Sequence, residues 1–196
     1  MTKKQQAALQ RIIDREASHI EWEKQNKKTD TGIEKKAGVH PSWEHHIVTD
    51  GIVAVIFQEK PDGVPEAERM DGLWDVMRRE VECSDKYTDH FLALTVTANH
   101  VSEWKKLSKD WKAGKTHKTG AVPVKLTAQN NDGEMVEGYY DPRYLVDAVE
   151  AVGSGAMVYI GRYGKQSCFC SLLVYPKNWM NDVNHITGYV LPLRIL

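Results

Sequence analysis

Apolar residues recur along the chain with two different periods, and these periods predict its first elements. Between residues 5 and 22 they follow the three-and-four spacing of a helix that buries one face. The runs 44–49 and 52–57 are rich in β-forming residues and flank Asp50-Gly51, a dipeptide that suits a tight hairpin turn. The chain is therefore predicted to begin with a helix followed by a β-hairpin.

The rest of the chain carries further strand and helix signals. The elements predicted after the hairpin are a short helix starting near Asp71, a strand over 90–97, a helix capped by Asn99 and ended by Gly114, and strands over 123–128 and 135–140. In the last third, Asp141 and Pro142 open a helix that ends at Gly153. Three strands follow, over 157–162, 168–175 and 187–195. This order favours an α+β fold with helices on one face of an antiparallel sheet.

Composition fits a soluble domain, and charge is segregated along the chain. The 196 residues include 26 Lys and Arg against 27 Asp and Glu, so the net charge of -1 gives no general attraction for nucleic acid. Residues 101–125 nevertheless carry seven bases and two acids, whereas residues 126–150 carry one base and six acids. The apolar runs are shorter than the roughly 20 residues of a bilayer span, and no export signal is present. We expect a cytoplasmic protein without membrane contact.

One predicted helix carries a basic stripe. Lys105, Lys109 and Lys112 fall at i, i+4 and i+7, away from the side that holds Trp104 and Trp111. Such a stripe suits contact with phosphates, and a solvated mixed-charge surface is the alternative interpretation. The two tryptophans fit core positions, although aromatic rings between lysines also suit stacking on single-stranded bases.

Catalytic and metal-binding patterns are missing from the sequence. His45 and His46 are adjacent on a predicted strand and point to opposite faces, so they do not form a zinc site readily with His40. Cys168 and Cys170, at a spacing of two, fit buried thiols better than a ligand pair. There is no glycine-rich phosphate loop and no nucleophile elbow. We expect no enzyme activity, no metal and no cofactor; an unrelated α+β enzyme is the alternative.

The last third of the chain carries a family resemblance. Residues 140–149 read YDPRYLVDAV, and residues 191–195 read LPLRI. These segments resemble the end of the bacterial DNA polymerase III β subunit, the sliding clamp, in which an aromatic-N-x-x-Y-L-x-D-A-L helix start precedes three strands and a final M-P-M-R-L strand. The sequence TDGIVA at 49–54 is similar to the T-D-G-H-R-L-A hairpin of that family. The resemblance is good over 134–196 and weak over 5–57.

This resemblance implies a DNA-clamp-like α+β fold built from repeated βαβββ half-domains. Residues 1–196 would form one enlarged clamp-type domain, with a helix-hairpin half at 1–60, a variable middle at 61–130 and a C-terminal half at 131–196; the alternative is two domains, 1–90 and 91–196. Clamps of the family are three-domain chains that dimerise into a ring. The smaller size here suggests a phage-encoded relative that closes a homo-oligomeric ring with a different stoichiometry.

The resemblance also implies a function. The protein is expected to be a processivity and recruitment factor that holds duplex DNA without sequence preference and binds replication proteins or a polymerase. The cations expected to face DNA are Lys105, Lys106, Lys109, Lys112, Arg143, Arg11 and Arg15. The residues expected to line an apolar groove for partner peptides are Ile52, Val53, Val190, Leu191, Pro192, Leu193 and Arg194. Val190 and Leu193 also fit the core of an edge strand, and a monomeric interaction module that does not encircle DNA is the alternative function.

Overall fold

The computed structural model of the chain describes residues 1–26, 36–41, 45–67, 90–129, 132–162, 170–181 and 186–193. The helices in these ranges are α1 (Lys3–Asn26), α2 (Ala98–Lys112) and α3 (Pro142–Val152), and two short 3-10 helices span His117–Thr119 and Trp179–Asn181. The strands are β1 (Val39–Pro41), β2 (His46–Thr49), β3 (Val53–Phe57), β4 (His90–Thr95), β5 (Val124–Gln129), β6 (Met135–Tyr140), β7 (Met157–Arg162), β8 (Cys170–Tyr175) and β9 (Thr187–Val190). The helix predicted near Asp71 and the thiol of Cys168 lie outside the described residues.

Seven of these strands form one antiparallel sheet in the order β1-β2-β3-β9-β8-β7-β4, and β5 pairs separately with β6. The predicted turn at Asp50-Gly51 joins β2 to β3, so the hairpin prediction is confirmed. Strand β3 then pairs with β9, with Val53 opposite Val190. The N-terminal hairpin and the C-terminal strands therefore belong to one sheet, although their sequences are far apart.

Both faces of this sheet bury apolar side chains. Along β3, Val53, Val55 and Phe57 belong to the core cluster under the helices, while Ala54 and Ile56 belong to a second cluster on the opposite face. Because successive side chains of a strand point to opposite faces, a strand that is covered on both sides reads as an unbroken apolar run. This explains why residues 52–57 show no alternation with polar residues.

The three α-helices that the structure describes pack on one face of the sheet. Helix α3 contacts α1, α2 and the central strands β3, β8 and β9, and Leu9, Ile12 and Leu145 join the core cluster of that face. A Cβ on Gly188 of β9 would lie 3.2 Å from the Val152 side chain of α3, so only glycine fits there without a shift. The predicted α+β class with a mostly antiparallel sheet is confirmed; the repeated clamp-like half-domains stay a prediction.

The start of α2 differs from the sequence expectation. Its N-cap is Thr97, not Asn99. The Thr97 hydroxyl accepts the N–H of His100, and the Nδ1 of His100 accepts the N–H of Thr97. This reciprocal pair is a capping box in which histidine takes the place usually held by Glu or Gln, which explains why the sequence pattern did not reveal it.

The buried face of α1 contains a carboxylate. Glu16 is buried and Ala17 is exposed, the reverse of what apolar periodicity predicts. One Glu16 oxygen lies 2.6 Å from Nε2 of the buried His40, and the other accepts the N–H of Gly38 at 3.0 Å. Burial of a charged group is tolerated when hydrogen bonds satisfy it, so Glu16 ties β1 and the segment before it to α1.

Candidate nucleic-acid interface

The three helices surround a groove of about 350 Å³ that is lined mainly by cations. Its basic lining residues are Arg11 and Arg15 from α1, Lys105, Lys109 and Lys112 from α2, and Arg143 from α3. We refer to this feature as the basic groove. Six of the seven cations expected to face DNA thus lie together, and the seventh, Lys106, is exposed on α2.

Helix α2 presents its lysines because its other side is fixed to the protein. Trp104 and Trp111 are 4% and 7% exposed. Lys109 and Lys112 point away from this buried side and are exposed at the groove. The assignment of both tryptophans to buried positions is therefore confirmed, and stacking on single-stranded bases is not available to them without rearrangement.

The arginines of α1 are held by carboxylates. Arg11 donates from Nε to Asp147 at 2.6 Å and from Nη2 to Glu150 at 2.7 Å. Arg15 donates from Nη1 to the second Asp147 oxygen at 2.6 Å and from Nε to Asp50 at 2.5 Å. Asp147, whose side chain is 4% exposed, therefore bridges two arginines one turn apart on α1 and fixes α1 to α3.

Asp50 links this arrangement to the hairpin. Its Oδ1 accepts the N–H groups of Ile52 and Val53, which shapes the turn, while its Oδ2 accepts from Arg15. Burial lowers the pKa of Arg15, but the charges of Asp50 and Asp147 outweigh this effect and leave that pKa above its ordinary value. The guanidinium stays charged, so the same residue stabilises the turn and the helix pair.

Glu150 extends the ion pairs to α2. Its Oε1 lies 2.6 Å from Nζ of Lys105 and 3.5 Å from Nζ of Lys4, and its Oε2 binds Arg11. Burial alone raises the pKa of Glu150, but the hydrogen bonds and charges of Lys105 and Arg11 outweigh it, so the pKa lies below its ordinary value. Glu150 is therefore an ionised carboxylate that three cations share.

The remaining arginine lies in an aromatic stack. Arg143 donates from Nη2 to Asp141 at 2.7 Å, and Asp141 also caps α3 by accepting the Arg143 N–H. The Arg143 guanidinium lies 5.3 Å from the ring centre of Tyr144 and 5.6 Å from that of Trp111, and Arg15 lies 4.9 Å from the Tyr144 ring. Burial, more than any neighbouring charge, raises the pKa of Tyr144 to about 12.

Three lysines of α2 differ from these paired cations. Lys106, Lys109 and Lys112 are exposed, and within the described part of the chain none of them forms an ion pair or a hydrogen bond through its side chain. Their ammonium groups are free to meet an anion that approaches from solvent. Among the described cations at or beside the groove, these three are therefore the best placed for an external phosphate.

Sequence reasoning missed the acids of this site. It placed Asp147 within a helix and did not consider Asp50 or Glu150 as partners of the cations. A usable signal was present, because Asp147 and Glu150 are spaced i, i+3 on one helix and Arg11 and Arg15 are spaced i, i+4 on another. Two such pairs are complementary once their helices are known to be neighbours.

The expected peptide groove is only partly at the surface. Val53 and Val190 face each other across β3 and β9 and are fully buried, so they are core residues and not the lining of an open groove. Four residues of the expected peptide groove are half-buried: Ile52, Leu191, Pro192 and Leu193. Arg194 lies outside the described residues. Strand β9 ends at Val190, five residues earlier than predicted, because Pro192 has no N–H to continue the ladder.

Other chemistry is limited in the ranges that the structure covers. Within them, no group of three or more His, Cys, Asp and Glu side chains is arranged to hold a metal ion. No helix there is both long enough and apolar enough to cross a bilayer. The basic groove is thus the feature of the described residues that carries the clearest binding chemistry.

The chain was compared with protein-family models, curated proteins and solved structures, and none of them matches it. No relative therefore supplies a function or a set of site residues. The functional proposal below depends on the basic groove and on the helices that form it.

Proposed function

We propose that this protein is a sliding-clamp-like, DNA-associated protein that holds duplex DNA without sequence preference on the face formed by α1, α2 and α3. The observation that carries the proposal is the exposed lysine stripe of α2 at the basic groove. Lys109 and Lys112 line the groove without a carboxylate partner among the described residues. Clusters of unpaired cations on one face are the electrostatic footprint of a protein that binds a phosphate backbone.

The spacing of Lys106, Lys109 and Lys112, which we call the free stripe, suits a phosphate backbone. Lys106, Lys109 and Lys112 are three residues apart, so they extend over about 9 Å of helix at about 1.5 Å per residue. One DNA strand presents a phosphate about every 3.4 Å along the duplex axis, so several phosphates lie within reach of this stripe. Flexible ammonium groups contact phosphates as point charges and read no base edges, which favours binding without sequence preference.

The sheet behind the helices supports this use of the face. It fixes α1 and α3 through a shared apolar core, so the cations are presented on a rigid surface. Encirclement of DNA would require several copies joined at their edges. The β1 edge is already occupied, since Val39 donates to the Pro65 carbonyl and accepts from the Ala67 N–H. We propose the β4 edge, at the other end of the strand order, as a joint.

Recruitment of partners is proposed at the half-buried strip formed by Ile52, Leu191, Pro192 and Leu193. Its backbone is fixed, since Leu191 donates to the Ile52 carbonyl at 2.9 Å and Leu193 donates to the Tyr139 carbonyl at 2.7 Å. A fixed apolar strip can bury side chains of an extended peptide. If Leu193→Asp binds a labelled clamp-binding peptide as tightly as the unmodified protein does, this part of the proposal is wrong.

The DNA-binding proposal is tested by fluorescence anisotropy with a duplex of arbitrary sequence at low salt. Lys109→Ala/Lys112→Ala should weaken binding roughly thirtyfold, because each lost phosphate contact removes the release of about one counterion. The matched control is Lys118→Ala/Lys177→Ala, which removes the same charge from exposed lysines outside the groove. Equal weakening by both variants, or no binding by the unmodified protein, would contradict the proposal.

Encirclement is tested separately from binding. A topological clamp should be retained on a circular plasmid and released when the plasmid is cut once, whereas a protein that only adheres to phosphates stays bound to both forms. The solution mass decides between a clamp that encircles DNA and a module that only binds it. An oligomer large enough to close a ring supports the clamp, and a strict monomer at working concentration leaves only a DNA-binding module that does not encircle the duplex.

A further inference from the structure

We propose that the buried carboxylates of α3 compete internally with DNA phosphates, so that Glu150 and Asp147 limit how many cations of the basic groove the duplex can engage. This inference rests on the proposed DNA binding and assigns the contact residues and the source of its strength. In it, Lys106, Lys109 and Lys112 contact phosphates, while Arg11, Arg15 and Lys105 are retained by the protein.

The distances show which cations are already engaged. Of the six basic residues that line the groove, four have a carboxylate oxygen within 2.7 Å: Arg11, Arg15, Lys105 and Arg143. The other two, Lys109 and Lys112, form no ion pair with any described residue. A carboxylate at this distance presents a negative charge and acceptor oxygens to a guanidinium or ammonium group, as a phosphate does. The engaged cations therefore resemble cations that are already bound to DNA.

Burial makes the competition unequal. The side chain of Glu150 is 3% exposed, whereas that of its partner Lys105 is 50% exposed and that of Arg11 is 36% exposed. If DNA drew Lys105 away, Glu150 could not follow into solvent and would stay buried with fewer partners, which is costly. Asp147 would likewise stay buried with fewer partners if DNA drew an arginine away, because arginines occupy both of its oxygens. The cations consequently stay with the protein, although they line the groove.

This arrangement predicts how strongly the DNA affinity depends on salt concentration. A cation that a fixed carboxylate already neutralises displaces no counterion from DNA, so only free cations contribute to the salt dependence of binding. With three free lysines the slope of log K against log salt should be about -3 per bound protomer, since each contact contributes about -0.9. Engagement of all seven predicted cations would give a slope of about -6. A shallow slope means few ionic contacts with the duplex, which suits a protein that must move along it.

The decisive variant is Glu150→Gln, which keeps the shape of the side chain and removes its charge. It releases Lys105 to the groove, whereas Arg11 keeps its bond to Asp147, and we expect duplex binding to become roughly fivefold tighter with a slope steeper by about 1. The matched control is Glu103→Gln, which makes the same charge change at an exposed position of α2 outside the groove. A gain of equal size in the control would overturn the inference, because general charge would then explain it.

A second comparison locates the released cation. In a Lys105→Met background, Glu150→Gln should tighten binding only about twofold, because the released lysine is gone and Arg11 is still held by Asp147. An undiminished gain means that the effect does not pass through Lys105, and the inference is then wrong. Thermal unfolding of each variant establishes that it folds. If Glu150→Gln does not fold, the salt slope of the unmodified protein decides alone: about -3 supports the inference and about -6 overturns it.

Failure of this inference can be told apart from failure of the proposed function. If the unmodified protein binds no duplex at low salt, the proposed function itself is wrong. If it binds, and the Lys109→Ala/Lys112→Ala variant binds more weakly than its control, the proposed function stands. A steep slope together with an unresponsive Glu150→Gln variant then rejects only the role of the α3 carboxylates.

Discussion

Two sets of cations line the same groove and behave differently. Arg11 and Arg15 lie one turn apart on α1, and Lys109 and Lys112 lie one turn apart on α2. The arginines are bonded to carboxylates that are almost fully buried, whereas the lysines are exposed and unpaired among the described residues. A basic stripe thus has no fixed meaning by itself. Acidic residues from distant parts of the chain decide whether its cations hold the fold together or meet a ligand.

The choice of side chain matches this division. The planar guanidinium offers several N–H donors in a fixed geometry, so Arg11 can bind Asp147 and Glu150 at once. An ammonium on a flexible stem suits contact with phosphates at variable positions. The geometry of the groove is therefore consistent with two roles: the arginines stabilise the helix pair, and the lysines remain available for a ligand.

The largest expected effect is on stability. Arg15→Ala removes a partner from two buried carboxylates, Asp50 and Asp147, and should lower the free energy of unfolding by about 2 kcal/mol, somewhat less than for a fully buried pair because Arg15 is partly exposed. Lys109→Ala should change it by no more than about 0.5 kcal/mol. Urea denaturation of both variants measures the difference. Similar losses in the two would remove the distinction between the two sets of cations.

A smaller effect separates geometry from charge. Arg11→Lys keeps the positive charge, but one ammonium group reaches Asp147 and Glu150 less well than a fork that binds both. We expect a loss of about 1 kcal/mol, the typical contribution of one hydrogen bond. The reverse exchange, Lys109→Arg, should leave the urea midpoint unchanged. An Arg11→Lys variant as stable as the unmodified protein would show that charge alone suffices at the α1–α3 contact.

Acid should weaken the paired region and not the free stripe. The pKa of Glu150 in the folded protein lies below its ordinary value of 4.5, so its contribution to stability is complete above that value and is lost as the pH falls through the folded pKa. Urea midpoints measured between about pH 7 and pH 3 should therefore fall less steeply for Glu150→Gln than for the unmodified protein. Parallel pH profiles would contradict the assignment of Glu150 as an ionised partner.

A separate effect appears only in alkali. Tyr144 has a pKa of about 12 in the folded protein against 10 when it is exposed, so its buried form is the neutral phenol. The unfolded chain releases this proton first, and stability should fall as the pH rises from about 10 toward 12. In Tyr144→Phe this contribution is absent. The check is a tyrosinate absorbance titration, in which the variant should lack one late-titrating group.

Local signals were enough to predict much of the fold. The Asp50-Gly51 turn and the Asp141-Pro142 helix start were identified because each depends on neighbouring residues. The pairing of Val53 with Val190 was not, since nothing local says which strands become neighbours in a sheet. Local sequence likewise does not reveal that Val53 is fully buried in the core under the helices.

The chemistry of the groove was harder to predict than its position. Periodicity placed the cations on helix faces, and the structure brings six of them together. It did not show that Arg15 is bonded to Asp147, 132 residues away in sequence. Similarly, Glu16 was passed over for Ala17 because its partner His40 lies on another element. Ion pairs between distant segments depend on packing that hydrophobic pattern does not specify.

The most direct measurement is chemical footprinting of lysines, with acetylation of each lysine quantified by mass spectrometry in the absence and presence of a duplex of arbitrary sequence. The division of the groove predicts that DNA protects Lys106, Lys109 and Lys112, while the reactivity of the exposed Lys118 and Lys177 stays unchanged. Uniform protection of all lysines, or protection confined to lysines outside α2, would contradict it.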